Sequence, residues 1–232
     1  MKWPISGLRA SDPQVKNAQM ENESASARFL TAIGHDMRQP LHALLLYLSA
    51  LERRVHDAEA REVLEKADRA AQSLANMIES LIQLARLDAG KVEADLEKVS
   101  LKSLFEDLVA HAPEVTTDPT ALYVQSDHAL LEVIVQQLVT NAATHGGGAA
   151  HVSASEKNGD IEISVRDAGP GIAPEDHERI FGEFVRLDGA PRTGLGSGLT
   201  IVRKLAALLK HEIEVRSAPG EGATFIVRAP RA

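Results

Sequence analysis

The stretch "HVSASEKNGDIEISVRDAGPGI", residues 151–172, decides the fold. Two segments of alternating character flank "KNGD", a two-residue turn signal, and together they predict an antiparallel hairpin. The second segment runs directly into "DAGPGI" at 167–172. Glycines placed straight after a strand let a backbone approach a ligand closely.

Working outward, the neighbours fit the same kind of domain. "SDHALLEVIVQQLVTNAATH" (126–145) reads as a helix with a strong apolar face, and "VSLKSLFEDLVAHA" (99–112) as a short strand entering a helix. "RTGLGSGLTIVRKLAALLKH" (192–211) is a glycine-rich loop that opens a helix. "EIEVRSAPGEGATFIVRAP" (212–230) is a second hairpin around "PGEG". Helices and an antiparallel sheet in one block predict an α/β sandwich of the α+β kind over residues 97–232.

The preceding part has another texture. Residues 15–92 are rich in Ala, Leu, Glu and Arg, with apolar positions at helical spacing: Phe29, Ile33, Met37, Leu41, Leu44, Leu45, Leu48 and Leu51, then Val63, Leu64, Ala67, Ala71, Leu74, Ile78, Leu81 and Leu84. "RRVHDAEARE" between the two sets suits a helical hairpin turn, and "DAG" at 88–90 carries a glycine cap signal. One hairpin has an apolar stripe and no closed core. Pairing two hairpins gives a four-helix bundle, so a homodimer is expected; the alternative is that the second half of the chain covers the stripe.

Composition narrows the function. The 232 residues carry a formal net charge of -8 and no cysteine. An acidic chain lacks the basic face that nucleic acid needs. Disulfides, thiolate zinc sites and thiol catalysis are excluded, which fits a cytoplasmic setting. No apolar run approaches the roughly 20 residues that span a bilayer, so no membrane contact is expected. Residues 1–14 lack the apolar core of a signal peptide and read as a flexible lead-in. The chain is expected to be the soluble part of something longer, such as a membrane-bound sensor.

Taken singly, each glycine motif fits a plain turn as well as a phosphate loop. "GLGSGL" (194–199) is no Walker loop, for no lysine and serine follow at the required place. It is no Rossmann fingerprint either, for no βαβ unit surrounds it. The order of motifs says more. "QQLVTNAATH" (136–145), "DAGPGI", "IFGEFVRLD" (180–188) and "GLGSGL" follow one another, with "GHDMRQPL" (34–41) upstream. This series resembles the N box, first glycine box, phenylalanine box, second glycine box and phosphoacceptor box of sensor histidine kinases. Their ATP-binding domain shares its fold with gyrase and Hsp90. The resemblance covers about residues 22–229.

That resemblance implies roles, several of which the chemistry also suits. His35 matches the phosphoacceptor; imidazole is a nucleophile near neutral pH. Asp36 matches the adjacent acid that orients the ring and takes its proton. Gln39, four residues on, stands where the family often has threonine or asparagine to orient water for dephosphorylation. Pro40 lacks the N–H that would bond to the Asp36 carbonyl, so the helix is expected to bend beside His35. Asp167 matches the acceptor of the adenine amino group. Asn141 matches the magnesium ligand, an amide oxygen suited to a hard cation. Gly169 and Gly171 match the hinge of a mobile lid. Phe181 and Phe184 match the phenylalanine box, with Arg186 a phosphate contact. Gly194, Gly196 and Gly198 match the triphosphate loop. Ile172, Leu199 and Thr224 complete the implied nucleotide site, whose cofactors are ATP and Mg2+. The implied partners are a second copy and a response-regulator receiver domain.

Some positions depart from the family's pattern. Gln137 stands where asparagine is frequent, and Thr144 where lysine is. The lid between Gly171 and Gly194 is short. The segment between Phe105 and Tyr123 is short as well, so a peripheral strand is expected to be missing. His42 reads as structural, and no HExxH or similar metal pattern occurs among the nine histidines. Two rival readings remain beside the kinase: a degenerate module that holds ATP or a regulator with little turnover, and an ATPase clamp of the gyrase and Hsp90 kind.

Overall fold

The structure, a computed structural model, describes residues 37–52, 54–112, 114–187 and 195–232. His35, Asp36, Gly194 and the expected lead-in at 1–14 lie outside the described residues. The chain divides into two compact units, with the boundary between Val92 and Glu93.

The first unit is a helical hairpin. Helix α1 is described over 37–52, with Pro40 inside its helical run; the bend expected at the Asp36 carbonyl falls outside the described residues. The chain turns at 54–57 and enters α2 (Ala58–Asp88). Asp57 caps that helix, its carboxylate accepting from the Ala60 N–H at 2.8 Å. At the other end Gly90 adopts φ 61°. Lys91 N–H then donates to the Arg86 carbonyl and Gly90 N–H to that of Leu87, each at 3.0 Å. This Schellman cap is the glycine signal read in the sequence.

Within one hairpin, Leu41, Ile78 and Ile82 form a small buried cluster, with Ala75 packed on it. The Arg38 guanidinium reaches Glu79 at 2.6 Å across the two helices. Met37, Leu44 and Leu51, spaced by seven, stay exposed on α1, as do Val63 and Leu74 on α2. Leu48 and Leu81 are half-buried.

The second unit holds a five-stranded sheet of order β2-β4-β5-β7-β6 and a separate β1-β3 ribbon. The strands are β1 (Glu97–Ser100), β2 (Val115–Thr117), β3 (Tyr123–Ser126), β4 (Ala150–Lys157), β5 (Asp160–Arg166), β6 (Glu212–Ser217) and β7 (Ala223–Pro230). The helices are α3 (Leu101–His111), α4 (His128–His145) and α5 (Gly198–Leu209). The β4–β5 hairpin turns on Asn158 and Gly159, at φ 55° and 92°, the left-handed pair that a two-residue turn of this hand demands. β6 and β7 form the second predicted hairpin.

The peripheral strand expected to be missing is present. β2 is only three residues long and pairs parallel to β4 at the sheet edge, Val115 opposite Ala150. Three residues are too few for an alternating pattern, which is why the sequence hid them. Leu131, Ile134 and Leu138 of α4 and Ile201, Leu205 and Leu209 of α5 are buried with Ile161, Ile163 and Phe225 of the sheet. On the other sheet face the Arg228 guanidinium holds Glu162 at 2.8 Å and also pairs with Glu214.

Candidate functional site

The site is built where β5 ends. Asp167 follows the last β5 residue and donates its N–H to the Ala223 carbonyl at 2.9 Å, so it continues the pairing with β7. Its side chain is 8% exposed. Oδ1 accepts from the Gly169 N–H at 2.9 Å and the Ala223 N–H at 3.1 Å. Oδ2 makes no hydrogen bond among the described residues. A carboxylate held this way by one oxygen offers the other as a fixed acceptor.

The loop after Asp167 is interlocked with the β6–β7 turn. Ser217 Oγ accepts from the Ile172 N–H at 2.8 Å and donates to the Gly222 carbonyl at 2.6 Å. Gly220 N–H donates to the Pro170 carbonyl at 2.7 Å. The contacts leave no room for side chains: a methyl at Gly171 would stand 1.9 Å from the Ala218 carbonyl oxygen, and one at Gly222 2.3 Å from that of Asp167. The glycines of "DAGPGI" were read as letting a backbone approach a ligand; among the described residues Gly171 is pressed instead against the "PGEG" turn.

Helix α4 supplies the next wall. Gln137, Asn141 and His145 recur every four residues and share a face, each of them half-buried. Burial pushes the His145 imidazole below its usual pKa; Arg186 pushes it further down, and Asp167 pulls the other way. Arg186 and Asp167 therefore both lie within electrostatic reach of His145. Gly198, the first residue of α5, faces Gln137, whose Oε1 would be 2.9 Å from a methyl there. The Ser197 side chain makes no capping hydrogen bond at the start of α5, and N–H groups at such a helix end suit an anion. A methyl at Gly196 would stand 2.6 Å from the Val185 carbonyl and 3.0 Å from Arg186 Cγ, which brings the two motifs together. Thr200 Oγ1 ties α5 to the Gly182 carbonyl at 2.8 Å.

Asn141, Asp167, Gly169, Gly171, Ile172, Arg186, Gly196, Gly198 and Leu199 thus fall on these interlocked loops and the helix ends beside them. Phe184 is on the same segment, 52% exposed and at φ 57°. Phe181 turns into the core and packs edge to face on Phe225, with centroids 6.4 Å apart.

Thr224 is the exception. On β7 it alternates with the buried Ala223 and Phe225 and so points to the opposite sheet face, in register with Arg166 and Arg216. The residue beside Asp167 is Ala223, whose N–H and carbonyl do the work, and no side-chain signal could have singled it out. Sequence reasoning also missed Ser217, Gly222, His145 and Gly146. Gln39 is exposed on α1, in the other unit.

Comparisons with known proteins agree with this division. Residues 25–90 match the His Kinase A (phospho-acceptor) domain, and residues 126–232 the histidine kinase-, DNA gyrase B- and HSP90-like ATPases. The sensor-like histidine kinase SenX3 of Mycolicibacterium smegmatis is 34% identical over 94% of this chain and 60% of its own length. The signal transduction histidine-protein kinase AfsQ2 of Streptomyces coelicolor is 32% identical over 90% of this chain and 42% of its own. The chain therefore spans less than two thirds of the length of these relatives. Among solved structures, full-length ShkA in complex with AMPPNP superposes with a TM-score of 0.71 at 28% identity, covering 88% of this chain and 46% of that one. The Acinetobacter baumannii histidine kinase AdeS, at 22% identity and a TM-score of 0.55, shares the fold over 84% of this chain and 97% of its own.

Proposed function

The chain belongs to the sensor histidine kinases, and on that premise we propose that it is the catalytic core of one. It binds Mg-ATP in the residue 97–232 domain, transfers the γ-phosphoryl group to His35 in the residue 15–92 hairpin, and passes it to an aspartate of a response-regulator receiver domain. The observation that carries this reading is the joining, in one polypeptide, of a phosphoacceptor region containing His35 to an ATPase region whose strand-end carboxylate has one oxygen saturated and one open.

In this reading Asp167 Oδ2 accepts from the adenine amino group. Gly196, Gly198 and the first turn of α5 take the phosphates through backbone N–H groups, with Arg186 beside them. The residues present fit magnesium held largely by phosphate. Among the described residues no cluster of three histidine or acidic side chains could cage a cation. Magnesium usually keeps its waters and substrate oxygens, with one or two protein ligands, and the Asn141 amide oxygen suits that part. When bound it neutralises phosphate charge. Asp36 takes up the imidazole proton of His35, and Gln39 orients the water that removes phosphate from the partner regulator. Two copies pair their hairpins into a four-helix bundle. No helix among the described residues is long and apolar enough to cross a membrane; the core works on the cytoplasmic side of whatever sensor it serves.

The test is incubation with γ-labelled ATP. Acid-labile, base-stable label is expected on the wild-type chain and none on His35→Gln, which should still bind nucleotide with nearly unchanged affinity. Label that survives in His35→Gln would remove His35 from its role. Nucleotide binding without any label on the wild type would favour the degenerate module, and turnover to free phosphate without label the clamp.

A further inference from the structure

The loop after α4 begins with three glycines, and they are not equivalent. Gly147 and Gly148 have φ of 86° and 93°, and a methyl on either would meet nothing closer than 3.9 Å. Gly146 is the reverse case. It caps α4 at φ -98° and ψ 15°, a backbone conformation that other residues adopt. Yet a methyl there would stand 2.4 Å from Asp167 Cβ, 2.6 Å from its Cγ and 2.7 Å from the Ala142 carbonyl. Those distances lie far inside the roughly 3.5–4.0 Å of carbon contact. Gly169 is pressed from the other side: a methyl on it would stand 2.6 Å from Gly146 Cα and 2.7 Å from the His145 carbonyl. Two backbones cross here with no side chain between them, and the Asp167 carboxylate sits against the crossing.

We infer that Gly146 is a positioning residue that sets base selectivity, the missing side chain at 146 being what lets Asp167 present its carboxylate to an amino-bearing purine. The inference rests on the proposed reading of Asp167 as the base reader. Its physical content is which part yields when the space is filled. Ala223 is fixed by the sheet, and the 167–172 loop is locked at Ile172 and Pro170 by Ser217 and Gly220. The closest contact, 2.4 Å, is with Asp167 Cβ, which no rotation of the carboxylate relieves, so the Asp167 backbone and the end of α4 must part. The carboxylate is carried with that backbone off the Gly169 and Ala223 N–H groups, and Oδ2 leaves its place. The phosphate-binding loops around Gly196 and Gly198 are made by other segments and stay.

The measurement is equilibrium affinity of the whole chain for ATP and for inosine triphosphate, whose base carries an oxo group where adenine has the amino group. A charge-assisted hydrogen bond gives the wild type a preference for ATP of about 10- to 150-fold. Gly146→Ala should bring that ratio close to 1, with inosine triphosphate affinity within about twofold of the wild type. Gly148→Ala meets open space but strains the loop at φ 93°, so it controls for loop strain alone and should keep the wild-type ratio. Gly169→Ala presses the same crossing and provides a second reading should Gly146→Ala not fold. If ATP and inosine triphosphate affinities fall together, or neither falls, Gly146 is only structural and the inference is overturned. Asp167→Asn separates the levels. Loss of the preference there with retention in Gly146→Ala sinks the positioning role alone; retention in Asp167→Asn sinks the reading of Asp167 and this inference with it.

Discussion

Asp167 has two oxygens with unlike surroundings, and a substitution can exploit that. Two backbone N–H groups claim Oδ1. In Asp167→Asn the amide oxygen has to take that position, because an NH2 group there would face two donors. The NH2 then occupies the place of Oδ2 and points a donor at the adenine amino group. ATP affinity is expected to drop about 10- to 150-fold, while an oxo purine, which accepts at that atom, loses nothing or gains. Competition binding of the two nucleotides checks it; equal losses for both would mean that Oδ2 does not face the base. Asp167 was legible in the sequence because a carboxylate before glycines at a strand end is a chemical signal. Ala223 was not, for it acts through its backbone. Thr224, one residue on, looked the better candidate by side chain and faces the wrong way.

Elements were legible where local chemistry fixes them. Asp57, Ser100 and Asp127 cap α2, α3 and α4, and Asn158-Gly159 sets the β4–β5 register. β2 and β3 escaped because three or four residues carry no period, and what holds them is pairing to distant segments. The junction between α5 and β6 hides a further contact of this kind. His211, 6% exposed, sets Nε2 2.9 Å from Ser126 Oγ of β3, which is fully buried. Its Nδ1 has no partner among the described residues. Burial holds the imidazole below its ordinary pKa, with the Lys210 backbone opposing in part. The sign follows: above about pH 6.5 the histidine is neutral in both states and contributes no slope. As pH falls below that value the unfolded chain takes up a proton that the folded chain refuses, and stability declines. One proton corresponds to at most about 1.4 kcal/mol per pH unit. His211→Gln keeps a polar group for Ser126 and does not titrate. Its urea-unfolding stability should therefore fall less steeply between pH 7 and pH 5 than that of the wild type; parallel slopes would show that His211 protonates freely in the fold.

At the scale of the molecule the question is what covers the hairpin. Ile78 is buried within one chain, but Leu48 and Leu81 are only half-buried and Leu44 remains 45% exposed. Met37, Leu44, Leu51, Val63 and Leu74 are all open on the hairpin. Burying a side chain of this size contributes about 1.5–3 kcal/mol. These side chains are already about half covered within one chain, so ten of them from two copies contribute about 7–15 kcal/mol, comparable with the roughly 4–15 kcal/mol that association costs. A second hairpin is the cover expected for this stripe. Replacing Leu48 and Ile78 together by aspartate puts unpaired charges into that interior, which is costly at each position. The residue 97–232 domain has its own sheet and core, so it should stay folded and bind ATP with unchanged affinity. Sedimentation is expected to show a dimer for the wild type and a monomer for the double variant. Autophosphorylation should fall with the dimer, because the bundle sets how His35 is presented. A wild-type chain that sediments as a monomer and still labels His35 at full rate would leave the exposed stripe without its occupant.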